Sequence, residues 1–174
     1  MPRITPWLWF DMNAEEAANF YIGVFPNSEI GEITRYTEES TGGDIPVPPG
    51  TPMTVEFFLD GQVFYGLNGG PQFRFSEAVS FQIDCADQEE ADHYWYALTT
   101  DGGEESACGW LKDKYGLSWQ VVPKRLNELL ADPDPEVAKR VTAAMMKMRR
   151  IDVSALEAAA RADRRPSAAV RFGA

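Results

Sequence analysis

The sequence predicts an α+β protein made of one strand-helix-strands module written twice, followed by helices. Three observations predict it. The phrase Asn13-Ala14-Glu15-Glu16-Ala17-Ala18-Asn19-Phe20-Tyr21 returns 74 residues later as Asp87-Gln88-Glu89-Glu90-Ala91-Asp92-His93-Tyr94-Trp95. Each phrase reads as a helix start, with Asn13 or Asp87 capping the first turn and Glu16 or Glu90 reaching back to the cap's own N–H. A second echo pairs Asp60-Gly61-Gln62-Val63-Phe64-Tyr65 with Tyr115-Gly116-Leu117-Ser118-Trp119-Gln120, each a glycine turn leading into a β-branched and aromatic strand. Beyond Pro123 the pattern turns helical, and an internal repeat of this kind decides architecture before any single element does.

The elements follow in order. Ile4 to Phe10 reads as a strand, and the helix from Asn13 runs to Val24 or Phe25, where Pro26-Asn27-Ser28 stops it. Ile30 to Tyr36 is the next strand. From Thr37 to Gly50 the glycines and prolines preclude regular structure and predict a long exposed loop. Thr51 to Leu59 and Gln62 to Leu67 form a hairpin across Asp60-Gly61. The second copy contributes a strand from Val79 to Asp84, a helix from Asp87 to Thr99, and strands near Cys108 to Lys112 and Leu117 to Val122. Then come a short helix from Lys124 to Ala131, a longer one opened by Asp134-Pro135-Glu136, and a capping box at Ser154 to Glu157. Val137, Val141, Met145 and Met148 make one apolar stripe, which serves a core or a partner helix more often than a cofactor. These boundaries divide the chain into modules at 1–71 and 72–123, a helical extension at 124–161 and a frayed tail at 162–174.

Composition removes several functions. Of 174 residues, 44% are hydrophobic, enough for a packed core. Sixteen Lys and Arg against 27 Asp and Glu leave a net charge of -11, which repels phosphate backbones and anionic lipid, so neither nucleic acid nor membrane is an expected partner. No apolar run approaches a membrane span, and the first residues do not read as a signal peptide, so the expected location is the cytoplasm. Cys85 and Cys108 are expected to be free thiols.

The doubled plan, with Phe10, Asn13 to Ala17, Phe20-Tyr21, the run Cys108-Gly109-Trp110-Leu111-Lys112-Asp113-Lys114-Tyr115-Gly116 and Trp119-Gln120-Val121-Val122-Pro123, resembles the PhnB-like branch of the vicinal oxygen chelate superfamily, also labelled 3-demethylubiquinone 3-methyltransferase-like. The resemblance implies paired βαβββ modules whose mixed sheet forms a cup, in a homodimer. The residues themselves lend the methyltransferase label no support, since no glycine-rich loop follows a strand as at an adenosylmethionine site.

In metal-using members, one residue on the first and last strand of each module holds a divalent ion. Aligning the helix phrases and the glycine turns puts Pro6 (or Thr5), Tyr65 (or Gly66), Ser80 and Gln120 at those places, none an imidazole or a carboxylate. His93 lies inside a helix. No metal and no cofactor is therefore expected, and Ser80 and Ser118 lack a histidine base. If the helices cover Trp7, Trp9, Phe81, Ile83, Trp119 and Val121, the other face carries Pro6, Leu8, Phe10, Tyr65, Ser80, Gln82, Asp84, Ser118 and Gln120. That set suits an apolar pocket with a few hydrogen-bonding groups, and equally a filled space between modules or subunits. The expected ligand-binding residues are Pro6, Leu8, Phe10, Tyr65, Ser80, Gln82 and Gln120, and the expected partner is a small organic ligand. The rival expectation is a lyase, isomerase or dioxygenase of the superfamily, recruiting a metal through other residues or using Asp84 and Glu56 as acid and base.

Overall fold

The protein is described here by a computed structural model covering residues 4–40 and 47–162. The described residues fall into two compact units. One contains those up to Val79 together with Tyr115–Leu117, and the other contains Ser80–Lys114 and those from Ser118 on. Each unit holds a four-stranded mixed sheet, so the chain is α+β as expected.

In the first unit the sheet order is β1-β4-β3-β2, with β1 (Trp7–Phe10) parallel to β4 (Gln62–Asn68), and β3 (Pro52–Leu59) antiparallel to both β4 and β2 (Glu29–Arg35). The first strand is shorter than the Ile4 start predicted, because Pro6 has no N–H to donate and contributes only its carbonyl, to the Tyr65 N–H at 3.0 Å. The β3-β4 hairpin turns on Asp60 and Gly61, both at positive φ (47° and 76°), which is the twist a two-residue hairpin requires. One face of this sheet is covered by α1 (Ala14–Val24), which buries Ala14, Ala17, Ala18, Tyr21 and Val24. Tyr21 stacks on Phe57, and Phe57 on Phe64. Gly66 lets α1 lie close, since a Cβ there would stand 3.0 Å from that of Ala14 and force it to give.

The caps of α1 differ from expectation. Asn13 makes no side-chain cap; the Ala14 N–H instead donates to Oδ1 of Asn68 at 2.8 Å, from a side chain buried at 2% exposure. The Asn68 side-chain amide also donates to the Pro52 carbonyl, and the Asn68 backbone carbonyl accepts from the Tyr36 hydroxyl. Glu16, freed from the capping box, accepts from the Tyr115 hydroxyl at 2.8 Å. The Tyr115 ring lies within about 6 Å of Phe10, Phe20 and Tyr21, so a piece of the second sequence copy completes the first unit's core. Of the Thr37 to Gly50 loop, residues 41–46 lie outside the described residues; Ser40 and Gly50 make turn bonds to Thr37 and Tyr36.

The second unit repeats the plan with order β5-β8-β7-β6. Here β5 (Ser80–Cys85) runs parallel to β8 (Ser118–Pro123), and β7 (Trp110–Lys112) is antiparallel to β8 and to a two-residue β6 (Glu104–Glu105) that the sequence did not announce. The helix α2 (Gln88–Thr99) buries Ala91, Tyr94, Trp95 and Leu98 over Leu111, Trp119 and Val121. Asp87 does cap it, accepting from the Glu90 N–H at 3.0 Å, although Glu90 reaches one residue further back than expected, to the Ala86 N–H.

The C-terminal helices are α3 (Lys124–Leu130), α4 (Pro135–Met145) and α5 (Val153–Arg161). They close a core of Val122, Leu126, Leu129, Val141, Ile151 and Leu156, against which Val137, Met145 and Met148 pack, so the predicted stripe is core, with Met148 beyond the helix end. The cap of α5 is Asp152 accepting from the Ala155 N–H, not Ser154, which sits inside the helix. The Gln88 side chain grips the Ile151 carbonyl and the Val153 N–H, and Arg150 pairs with Asp92. The tail from 163 lies outside the described residues. Among the described residues no helix is long and apolar enough to cross a membrane.

Candidate functional site

Each sheet leaves the face opposite its helix to other uses. In the first unit the register puts Leu8 beside Gly66 and Phe10 beside Asn68, on the α1 side, and Trp7 beside Tyr65 and Trp9 beside Leu67 on the open side. This reverses the expected alternation. Leu8 (6% exposed) and Phe10 (2%) are core residues under the helix, while Trp7 is 56% exposed. The cause is one residue. Three residues, Asp11, Met12 and Asn13, join β1 to α1, whereas two, Ala86 and Asp87, join β5 to α2. Met12 takes the extra step at φ 63°, and a shift of one residue moves every side chain of a strand to its other face. Aligning the helix phrases carried this offset back into β1; comparing the two turns by length is the signal that corrects it.

The open face of the first unit is built around a stacked pair. Trp7 lies over Tyr65 with ring centroids 4.7 Å apart and planes inclined by 13°. The Tyr65 hydroxyl donates to Oε1 of Glu56 at 2.6 Å, across the β3-β4 pairing that sets the two opposite each other. That bond raises the phenol above its ordinary pKa, because ionisation would forfeit a donor and create a second negative charge beside Glu56; desolvation and Glu32 add to it. Oε2 of Glu56 accepts the Glu32 N–H at 3.3 Å, where β2 is irregular between Ile30 and Ile33. Gly31 sits under that carboxylate, and a Cβ there would collide with it. Beside the pair, Trp9 donates its indole N–H to the Gly70 carbonyl and meets Phe73 edge-on. The exposed Trp7 is the feature the strand alternation placed on the wrong face, and Glu56, weighed from the sequence only as an acid or base, is bonded to Tyr65.

The second unit's open face has a different chemistry. Ser80 stands opposite Ser118, and Gln82 opposite Gln120. Gln120 donates to Ser80 Oγ at 2.9 Å, and Gln82 donates to Asp84 at 2.7 Å. The Ser118 hydroxyl is buried without a hydrogen-bond partner among the described residues. Of the expected binding residues, Ser80, Gln82 and Gln120 thus share one face within this unit, Tyr65 occupies the open face of the other, Pro6 precedes the strand half-buried, and Leu8 and Phe10 are in the core.

A divalent ion does not fit these positions. With the Met12 offset, Thr5 rather than Pro6 aligns with Ser80, and the four corners become Thr5, Tyr65, Ser80 and Gln120, all neutral and three of them already hydrogen-bonded to protein. Among the described residues no three His, Cys, Asp or Glu side chains gather about a common point. His93 is exposed on α2. Cys85 is buried at the end of β5, where desolvation first and Glu90 second push its thiol up to about 12, and Cys108 is half-buried at φ 58°. The carboxylates considered as acid and base belong to different units, Asp84 bonded to Gln82 and Glu56 to Tyr65.

Comparison with known proteins agrees with the fold. The family model described as 3-demethylubiquinone-9 3-methyltransferase matches residues 2–122. Among solved structures, the chain is similar to the PhnB protein of Bacillus cereus, provisionally described as a 3-demethylubiquinone-9 3-methyltransferase, with 36% identity, a TM-score of 0.60, and coverage of 70% of this chain and 99% of that one. Protein PA1353 from Pseudomonas aeruginosa shares the fold at 19% identity and a TM-score of 0.55, over 71% of this chain and 98% of its own. No curated protein matches the chain.

Proposed function

The chain belongs to the family described as 3-demethylubiquinone-9 3-methyltransferase, the PhnB-like branch of the vicinal oxygen chelate superfamily, and within it we propose a metal-independent binder of a small, flat organic ligand. The observation that carries this reading is the Trp7 ring, 56% exposed and held flat by its stack on Tyr65. An exposed indole fixed in orientation offers a large apolar surface with little further entropy to lose on binding, and stacking a second ring on it adds about 0.5–1.5 kcal/mol beyond area burial. The family description names a quinone-type ring, which such a surface suits. Methyl transfer is outside the proposal, because no glycine-rich loop follows a strand in this sequence. The working form in this reading is a homodimer.

The experiment is a melting-temperature screen of the full chain with naphthol, benzoquinone and the chlorides of magnesium, manganese and zinc. A ligand bound only by the native state raises the midpoint. The ring compounds are expected to raise it, Trp7→Ala to abolish the rise, and the metals to leave it unchanged. A stoichiometric divalent ion in the purified protein, or a ring-induced rise that survives Trp7→Ala, overturns the proposal. Light scattering on the eluting protein tests the dimer.

A further inference from the structure

We infer that the Trp7–Tyr65–Glu56 face selects planar organic cations over neutral and anionic rings, an inference that rests on the ring-binding role proposed for this face. The stacked pair supplies two aromatic faces, and the face of an indole carries the negative end of the ring quadrupole, which attracts a cation placed above it. Glu56 stands at the edge of the pair. Its carboxylate can only accept hydrogen bonds, and it already takes one from the Tyr65 hydroxyl and one from the Glu32 N–H, so the arriving group it favours is a positive charge or another donor. Glu32 adds a second negative charge near Tyr65. Neither Glu56 nor Glu32 has an ion-pair partner among the described residues. The net charge of -11 extends the same sign over the whole chain and draws cations in from solution.

Gly31 is the position that makes the arrangement possible. The strand irregularity between Ile30 and Ile33 turns the Glu32 N–H toward Glu56, and the missing side chain at Gly31 leaves the carboxylate its place. A residue with a Cβ there must make the Glu56 carboxylate shift from its place. Gly31 is thus a positioning residue for the charge at the edge of the platform.

Titration calorimetry at low ionic strength on the full chain decides the matter, using three probes of one shape: methylquinolinium, quinoline and quinoline carboxylate. The cation is expected to bind about tenfold tighter than quinoline, with the carboxylate weakest. Glu56→Gln should remove most of that preference while leaving quinoline affinity within about twofold, and Gly31→Ala should do the same by moving the carboxylate rather than neutralising it. Equal binding of cation and carboxylate, or a preference unchanged in both variants, overturns the inference. Quinoline bound without any charge preference leaves the ring platform standing and removes only the selectivity; binding of none of the three removes both.

Discussion

The two sheets share strand order, a parallel pairing of first strand to last, and a helix on one face, yet their open faces are unlike. The first presents Trp7, Tyr65 and Glu56; the second presents Ser80, Gln82, Asp84 and Gln120. The first strand of the second copy alternates polar and apolar residues, whereas Trp7, Leu8, Trp9 and Phe10 are apolar throughout, so the sequence of β1 alone does not say which parity faces its helix. What separates the copies is the turn into the helix, three residues in one copy and two in the other. Face assignment is therefore a property of turn length as much as of strand sequence, because the helix must meet the sheet at a set distance and the connection decides which strand parity faces it.

The contrast can be broken most severely at β1. Phe10→Ala removes a ring buried at 2% exposure and should cost about 3–5 kcal/mol, whereas Trp7→Ala, next to the core residue Leu8 but on the open face, should cost under about 1.5 kcal/mol. Denaturant unfolding of the two variants checks this. Equal losses would mean that β1 does not hold the register described.

The caps sharpen the comparison on a smaller scale. Asp87→Ala should cost about 1 kcal/mol, the usual worth of an N-cap, and Asn13→Ala within about 0.5 kcal/mol, although the two occupy matching places in the repeated phrase. The first helix is capped instead from β4, so Asn68→Ala should cost about 1–3 kcal/mol by leaving the buried Ala14 N–H without its acceptor and removing the donor to the half-buried Pro52 carbonyl. Thermal or denaturant midpoints rank the three. An Asn13 variant as damaging as the Asn68 variant would contradict the transferred cap.

The smallest effect at neutral pH lies at Cys85, which ends β5 in the place that Phe10 holds in β1. Burial pushes its thiol from an ordinary 9.0 to about 12, so the native state holds the proton after the unfolded chain has released it. Its contribution is intact below about pH 9 and is lost as pH rises from there toward 12. Alkylation of the folded protein at mildly alkaline pH should therefore modify Cys108 and spare Cys85, as mass spectrometry of the labelled peptides would show; prompt modification of both would place Cys85 outside the core.

Much of this was legible in residues. The repeated helix starts, the Asp60-Gly61 hairpin and the apolar stripe of α4 are local signals, since caps, turns and periodicity act within a few positions. The site was less so. Leu8 and Phe10 fall on the open face when the two phrases are aligned without the extra Met12, and the bond of Glu56 to Tyr65 is not legible because its partners, Tyr65 and the Glu32 N–H, are 9 and 24 residues away. Cap exchange at α1 could not be read either, as Asn68 lies 54 residues from the N–H it accepts.

By itself the sequence determined the doubled α+β plan, the hairpins and the family, because these depend on turn geometry, helix ends and hydrophobic period, all of which operate over short stretches of chain. Only the tertiary structure decided which parity of β1 faces the helix, that Tyr115 completes the first unit's core, and that Glu56 holds Tyr65 beneath Trp7. Those outcomes follow from strand register and from hydrogen bonds between distant residues, and register is a collective choice settled when the sheet and helix bury their faces together.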